Sequence, residues 1–262
     1  MYEKILKLAS SNPPSSNTSH RSKRTFFLFL VPVVFLLACS KNVNDPGYEF
    51  QIGVGEQFVR SGEYDRGFRI LENVAENNPD AASVQIALAE SYFDQGAFLK
   101  ARSHYDRAIQ LGEADKGHLG NARVALAQND AELALQLFGI LMEKNQSVAV
   151  LNGVGVAYDI LGQHETAQNY YEQVLTHDAD NIPALNNLAL SQTLSGNRIE
   201  GDRLFTNLFP SALNNSTVRQ NTAFVKALNG DTKGALDLFS SDLDDQKVYH
   251  NINVAERLKS AL

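Results

Sequence analysis

The sequence has few prolines, which interrupt helices, and no apolar run long enough to cross a membrane. It has no tryptophan and only seven prolines, and its 44% apolar content is ordinary for a folded chain, which agrees with an all-helical array. The apolar run at 25–37 has 13 residues, well short of the roughly 20 that span a bilayer, so a membrane-spanning anchor is excluded. The formal net charge of −7 makes nucleic acid an unsuitable partner.

Motifs for catalysis and metal binding are also missing. No HExxH pair, Cys/His cluster, G-x-S-x-G elbow or Walker loop is present. The fragments Gly53-Val54-Gly55 and Gly153-Val154-Gly155 lack the third glycine and the preceding strand of a phosphate loop, so we expect them at packing positions inside helices. The six histidines are predicted at surfaces or turns: His20, His104, His118, His164, His177 and His250. We therefore expect a protein that is not an enzyme and uses no metal, cofactor or small-molecule substrate.

Residues 148–180 contain the pattern that the rest of the chain repeats. Apolar and small residues recur at spacings of three and four, which place them on one face of each of two helices. The first set is Leu151, Val154, Gly155 and Tyr158, and the second is Ala167, Tyr171 and Val174. Gly162 lies between the two sets, so the pattern predicts a helix, a tight turn and a second helix.

The same turn position recurs six times at intervals of 33 or 34 residues. Its occupants are Gly62, Gly96, Asn129, Gly162, Gly196 and Gly230. A left-handed residue that ends a helix suits glycine, and asparagine is the usual substitute. Small residues recur seven before and five after each turn, and a large residue recurs nine after it. The small residues allow two helices to approach closely, and the large one fills the gap toward the next pair.

This register resembles the tetratricopeptide repeat, a helix–turn–helix unit of 34 residues. The resemblance implies an all-α superhelical solenoid of about six repeats over 48–245, rather than an unrelated helical bundle. Apolar residues at Val248, Ile252, Ala255 and Leu258 predict one further amphipathic helix at 246–262. We expect it to cap the last repeat; a detachable helix that binds a partner is the alternative.

The N-terminal region has the features of a secretory signal. A basic block, the short apolar run and Ala38 precede Cys39, the one cysteine of the chain. Leu36-Leu37-Ala38-Cys39 resembles the lipobox of bacterial lipoproteins, which implies a signal peptide at 1–38, a lipidated Cys39 and a tether at 39–47. A free structural cysteine is the alternative. In that family Ser40 favours the outer membrane, so we expect the protein to lie on its periplasmic face. Residues 1–38 carry five basic residues and one acidic one, so the mature charge is −7 − 4 = −11.

First helices line the concave side of such solenoids, where partner segments commonly bind. Transferring the groove positions of tetratricopeptide domains to this chain gives Glu90, Phe93, Asp94, Arg123, Asn152, Val156, Asp159, Asn186, Leu190, Gln220 and Phe224. Asn152, Asn186 and Gln220 are spaced by 34, which predicts a column of amides that can bond an extended backbone. The alternative is a solvated polar face without a partner.

The last third of the chain adds a narrower resemblance. Residues 218–221, 227–228, 242–243 and 253–255, with the lipobox and the overall size, resemble the TadD family of tetratricopeptide lipoproteins from tight-adherence (Flp) pilus assembly. The resemblance implies a pilotin-like assembly factor that holds a secretin or another apparatus segment in its groove. Two other functions stay open: an adaptor that docks peptidoglycan hydrolases or proteases, and an enzyme or enzyme subunit.

Overall fold

A computed structural model describes residues 46–144, 146–207 and 210–259, and every regular element in these ranges is helical. The first five helices are α1 (Pro46–Arg60), α2 (Tyr64–Asn77), α3 (Ala82–Asp94), α4 (Phe98–Gln110) and α5 (Ala114–Ala127). The next five are α6 (Ala131–Met142), α7 (Val148–Ile160), α8 (His164–His177), α9 (Ile182–Leu194) and α10 (Arg198–Asn207). A short 3-10 helix (Pro210–Asn214) precedes α11 (Ser216–Asn229), α12 (Thr232–Phe239) and α13 (Asp245–Lys259). The predicted lipidation site Cys39, the predicted signal peptide, most of the predicted tether and residues 260–262 lie outside the described residues.

The six predicted turn residues all have left-handed backbones. The five glycines have φ between 71° and 98°, and Asn129 has φ 63°. Each ends the first helix of a pair and reverses the chain into the second. Gly112, between α4 and α5, has φ 100° as well, which the repeat pattern did not predict. Its turn joins one pair to the next rather than the two helices of a pair.

Close approach of the helices explains the columns of small residues. A Cβ atom added to Gly55 would lie 2.7 Å from Leu71 Cγ, and one added to Gly155 would lie 2.4 Å from Tyr171 Cε1. The alanines at the same register on other first helices are fully buried. Gly153 is also a packing position, because an added Cβ would lie 2.1 Å from Phe138 Cζ, whereas a Cβ on Gly53 would meet nothing within 4 Å. The expectation that Gly53 is a packing position is therefore wrong.

Several helices begin with a side chain that accepts a backbone N–H. Asp130 accepts from Leu133, Asn181 from Ala184, and Asp231 from Gly234. A capping side chain of this kind stabilises a helix by about 1 kcal/mol because it satisfies an N–H that has no partner inside the helix. Asp130 and Asp231, each just after a turn, therefore fix where the second helices α6 and α12 start.

The core runs along the solenoid between the two layers of helices. The large-residue column supplies its centre, with Tyr105, Phe138, Tyr171 and Phe239 fully buried. Helix α13 packs on α11 and α12 through Val248, Ile252 and Ala255, and it closes the last pair. The predicted fold, six helix pairs and a closing helix, is confirmed. No helix in the described ranges combines the length and the apolar character that a membrane span requires.

Candidate functional site

The candidate site is the surface formed by the first helices α1, α3, α5, α7, α9 and α11. Each of them contacts the next first helix directly, and each one after α1 also packs on the second helix that precedes it. Direct contact between successive first helices brings them closer together than the outer layer, and the small rotation per repeat makes their side concave. We call this side the concave surface.

A charged cluster occupies the concave surface of α3 and α5. Glu90 and Arg123 occupy the same register in successive repeats, and Arg123 Nη1 donates to both carboxylate oxygens of Glu90 at 2.8 Å. The Tyr105 hydroxyl donates to Glu90 Oε1 at 2.7 Å, and the Arg123 guanidinium lies 4.6 Å from the centre of the Phe93 ring. The side chains of Arg123 and Glu90 stay 39% and 38% exposed, so the pair faces solvent.

Burial and neighbouring charges shift the ionisation of this cluster. Partial burial raises the pKa of Asp94, and the negative charge of Glu90 raises it further against the effect of nearby arginines. Burial, with the hydrogen bond to Glu90, raises the pKa of Tyr105. Burial lowers the pKa of Arg123, but the charge and hydrogen bond of Glu90 outweigh it, so the net shift is upward. The cluster therefore combines the Glu90–Arg123 ion pair with the carboxyl of Asp94, whose raised pKa makes it protonate more readily than an ordinary aspartate.

Two residues of the predicted column, Asn152 and Asn186, belong to a staggered chain of amides across three first helices, whereas the third, Gln220, is not part of this chain. Asn187 Nδ2 donates to Asn152 Oδ1 at 3.4 Å, and Asn186 Nδ2 donates to Asn187 Oδ1 at 3.1 Å. Asn221 Nδ2 then donates to Asn186 Oδ1 at 3.0 Å. Asn187 and Asn221 lie one position further along their helices than the predicted column, so a single register does not include them. The signal was the adjacent amide pairs, Asn186-Asn187 and Gln220-Asn221.

Burial separates the eleven predicted groove residues into two groups. Six keep solvent-accessible surface and lie on α3, α5 and α7: Glu90, Phe93, Asp94, Arg123, Asn152 and Val156. Five are buried: Asp159, Asn186, Leu190, Gln220 and Phe224. The accessible part of the predicted groove therefore lies on repeats two to four. The five buried residues have too little exposed surface for a partner to contact them directly.

Two segments of the chain match models of the tetratricopeptide repeat, residues 55–116 and residues 148–181. The register, the left-handed turns and these matches agree. The fold is a tetratricopeptide-repeat solenoid. No curated protein sequence matches the chain significantly.

Solved structures share this tetratricopeptide fold at low sequence identity. A tetratricopeptide repeat protein from Parabacteroides merdae is 13% identical, covers 81% of this chain and 86% of its own, and has a TM-score of 0.67. PilW, described as a widely conserved type IV pilus biogenesis factor, is 14% identical with coverages of 75% and 92% and a TM-score of 0.62. PilF of Pseudomonas aeruginosa is 14% identical with coverages of 74% and 89% and a TM-score of 0.56.

The C-terminal end of the tetratricopeptide solenoid is covered by its own closing helix. Leu194 and Phe224, which occupy groove positions, belong to the same core cluster as Val248 and Ile252 of α13. The equivalents of these two residues on α3, Asp94 and Glu90, remain accessible to solvent. These two groove positions are thus buried in the core that the closing helix completes.

One buried cluster of this solenoid has the residue types of a catalytic triad without its geometry. Asp159 accepts from Ser191 Oγ at 2.7 Å and lies 2.8 Å from His164 Nδ1, so the serine hydroxyl is bonded to the carboxylate. A nucleophilic serine instead donates to the histidine and is open to substrate. Ser191 is fully buried. Asp159 therefore joins repeats four and five, and it presents no surface to a partner.

Proposed function

We propose that the protein is a scaffold whose concave surface binds an extended segment of a partner protein. The observation that carries the proposal is the accessible part of the concave surface on α3, α5 and α7, which we call the accessible band. It contains the charged cluster around Arg123 and the hydrogen-bonded amide of Asn152. At one end of the band, the Arg123 guanidinium stacks on the Phe93 ring and presents charged N–H groups. At the other end, Asn152 presents its side-chain amide. Such groups bond the peptide groups of an extended chain.

The specific role that we propose is assembly of a tight-adherence (Flp) pilus apparatus. The resemblance of the last third to the TadD family supports it, and so does the fold shared with PilW, a type IV pilus biogenesis factor. We propose that Cys39 is lipidated and holds the solenoid at the outer membrane, where its concave surface captures a secretin segment in the manner of a pilotin. Confinement to one membrane raises the local concentration of both partners without new contacts.

The lipid anchor is tested by Cys39→Ala in a cell that carries the pilus system. The proposal predicts loss of the protein from the outer-membrane fraction and fewer secretin multimers on native gels. Unchanged multimers would count against the pilotin role. A cross-linked complex that contains cell-wall hydrolases or proteases and no secretin would instead assign the protein to the adaptor class.

The concave surface is tested separately by Arg123→Glu. This change places two carboxylates opposite each other and removes the guanidinium from Phe93, and the ion pair is exposed enough that folding should be little affected. Arg203→Glu on α10 is the matched control, because Arg203 is also exposed and pairs with a nearby glutamate, Glu200. Partner binding should fall about tenfold for Arg123→Glu alone, as measured by co-purification of cross-linked secretin. Equal effects of the two variants would refute the assignment of this surface.

A further inference from the structure

Helix α1 carries a face that no described helix covers, although the same face is covered on every other first helix. Phe50 on this face is 74% exposed. The residues at the same register on the next five first helices are all buried against the preceding second helix: Val84, Gly117, Val150, Ala184 and Val218. Gln57, two turns further along α1, is exposed while its five equivalents are buried as well. The chain therefore supplies five internal examples of what should cover α1.

The open face of α1 leaves a space above Gly53, which we call the cradle, with room for an aromatic ring. A Cβ on Gly53 would meet nothing within 4 Å. At the same register, a Cβ on Gly120 would lie 2.2 Å from Tyr105 Cε1, and one on Gly153 would lie 2.1 Å from Phe138 Cζ. In both cases the ring comes from the second helix of the preceding repeat. The space above Gly53 is thus the one that an aromatic side chain fills further along the solenoid.

The contacts of Gly117 indicate which type of residue follows the aromatic residue by four positions on the covering helix. A Cβ on Gly117 would lie 2.4 Å from Ile109 Cγ1, and Ile109 follows Tyr105 by four residues on α4. The covering helix therefore presents an aromatic residue at i and an aliphatic one at i+4. Phe50 occupies the Gly117 position on α1, so a helix packed in the same way would meet its ring where Ile109 meets Gly117. The helix that fits α1 needs a small residue at i+4.

We propose that the open face of α1, formed by Phe50, Gly53 and Gln57, binds an amphipathic helix of a partner protein. That helix carries an aromatic residue at i, a small residue at i+4 and a polar outer face, and it lies where a preceding second helix would lie. The interface continues the stacking that joins the repeats already. This end site is separate from the concave surface; it rests on the proposed processing at Cys39 and does not depend on the pilus role.

A second copy of this chain fits the face less well. The aromatic residues at the large-residue position of its second helices are all buried in its own core. Tyr249 on α13 is exposed, but its i+4 residue is the polar Asn253. With Cys39 as the first residue, as proposed above, the seven residues before Pro46 are enough for less than two helical turns, which is too short to cover α1.

The test uses a fluorescent peptide with the sequence of residues 96–113 and the change Ile109→Ala. The peptide is stapled on its polar face, because a free peptide of this length is not helical in water. It is titrated with the full chain, purified in detergent, and binding is followed by fluorescence anisotropy. We expect saturable binding, at least tenfold weaker for a peptide that also carries Tyr105→Ala.

Matched variants locate the site. Gly53→Leu fills the cradle and should weaken binding at least tenfold, whereas Gly139→Leu should leave binding unchanged, because Gly139 is also an exposed helical glycine with nothing within 4 Å. Arg123→Glu should leave peptide binding unchanged, which separates this site from the concave surface. Absence of saturable binding, or equal weakening by both glycine variants, would overturn the proposal. Self-association in sedimentation that Gly53→Leu abolishes would overturn it too, because the face would then belong to a second copy.

Discussion

Replacing Asp159 should uncouple the middle of the solenoid. Its carboxylate is 0% exposed, and it accepts the Tyr171 hydroxyl within its own repeat and the Ser191 hydroxyl from the next, both at 2.7 Å. His164 Nδ1 lies 2.8 Å away. Because each repeat of a solenoid is stabilised by its neighbours, a loss at this junction affects the repeats on both sides.

The magnitude follows from the groups that Asp159→Ala leaves behind. A buried hydroxyl that loses its partner costs about 1–3 kcal/mol, and two are affected. Ser191 keeps a 3.3 Å contact with the His164 carbonyl, which offsets part of the loss. We expect a total of about 3–5 kcal/mol, a large fraction of the roughly 5–15 kcal/mol that stabilises a typical domain.

Urea unfolding followed by circular dichroism measures this loss. Asp237→Ala is the control, because Asp237 is exposed on α12 and its change should stay within about 0.5 kcal/mol. In a double-mutant cycle, Ser191→Ala should cost about 1–2 kcal/mol less in the Asp159→Ala background than in the wild type. A loss below 1 kcal/mol for Asp159→Ala, or additive effects in the cycle, would refute the junction role.

Three further predictions concern pH, an ion pair and close packing. Burial lowers the pKa of His104 below its ordinary 6.5, so the unfolded chain takes up this proton first and stability falls as the pH drops below about 6.5. His104→Gln should therefore lose less unfolding free energy than the wild type between pH 7 and pH 5 in urea titrations. Arg219→Met should cost about 2–4 kcal/mol, because its ion pair is largely buried, whereas the exposed Arg203→Met should cost under 0.5 kcal/mol in the same denaturation assay. Gly153→Ala should cost about 1–3 kcal/mol of stability and lower the thermal midpoint, because its methyl group would overlap the Phe138 ring. Gly139→Ala should raise the midpoint, since its methyl group meets nothing and alanine is the better helix former.

The repeat could be predicted from sequence because its determinants are local. A left-handed residue must end each first helix, and that requirement selects glycine at Gly96 or Gly162 and asparagine at Asn129. Spacings of three and four then mark the faces that pack. Gly112 was missed because a connection between pairs is less uniform than the turn within a pair, so one left-handed residue there creates no periodic signal.

The candidate surface was predicted less completely, because accessibility depends on neighbours that are distant in sequence. Asp159 lies at a groove register, yet Tyr171 and Ser191 enclose it. Phe224 lies at another groove register, the one that Glu90 and Arg123 occupy, but it packs in one cluster with residues of α13. A register specifies which way a side chain leaves its helix, and it carries no information about what covers that side chain.

The sequence by itself determined the all-helical class, the six pairs, their turns and the closing helix, since each follows from spacing and backbone preference within about 34 residues. The tertiary structure alone decided which groove positions remain accessible, how the amides of Asn152, Asn186 and Asn221 connect, and that no described helix covers the face of α1 around Phe50 and Gly53. The physical reason is that burial and hydrogen bonding between repeats depend on surfaces that meet only once the helices have stacked.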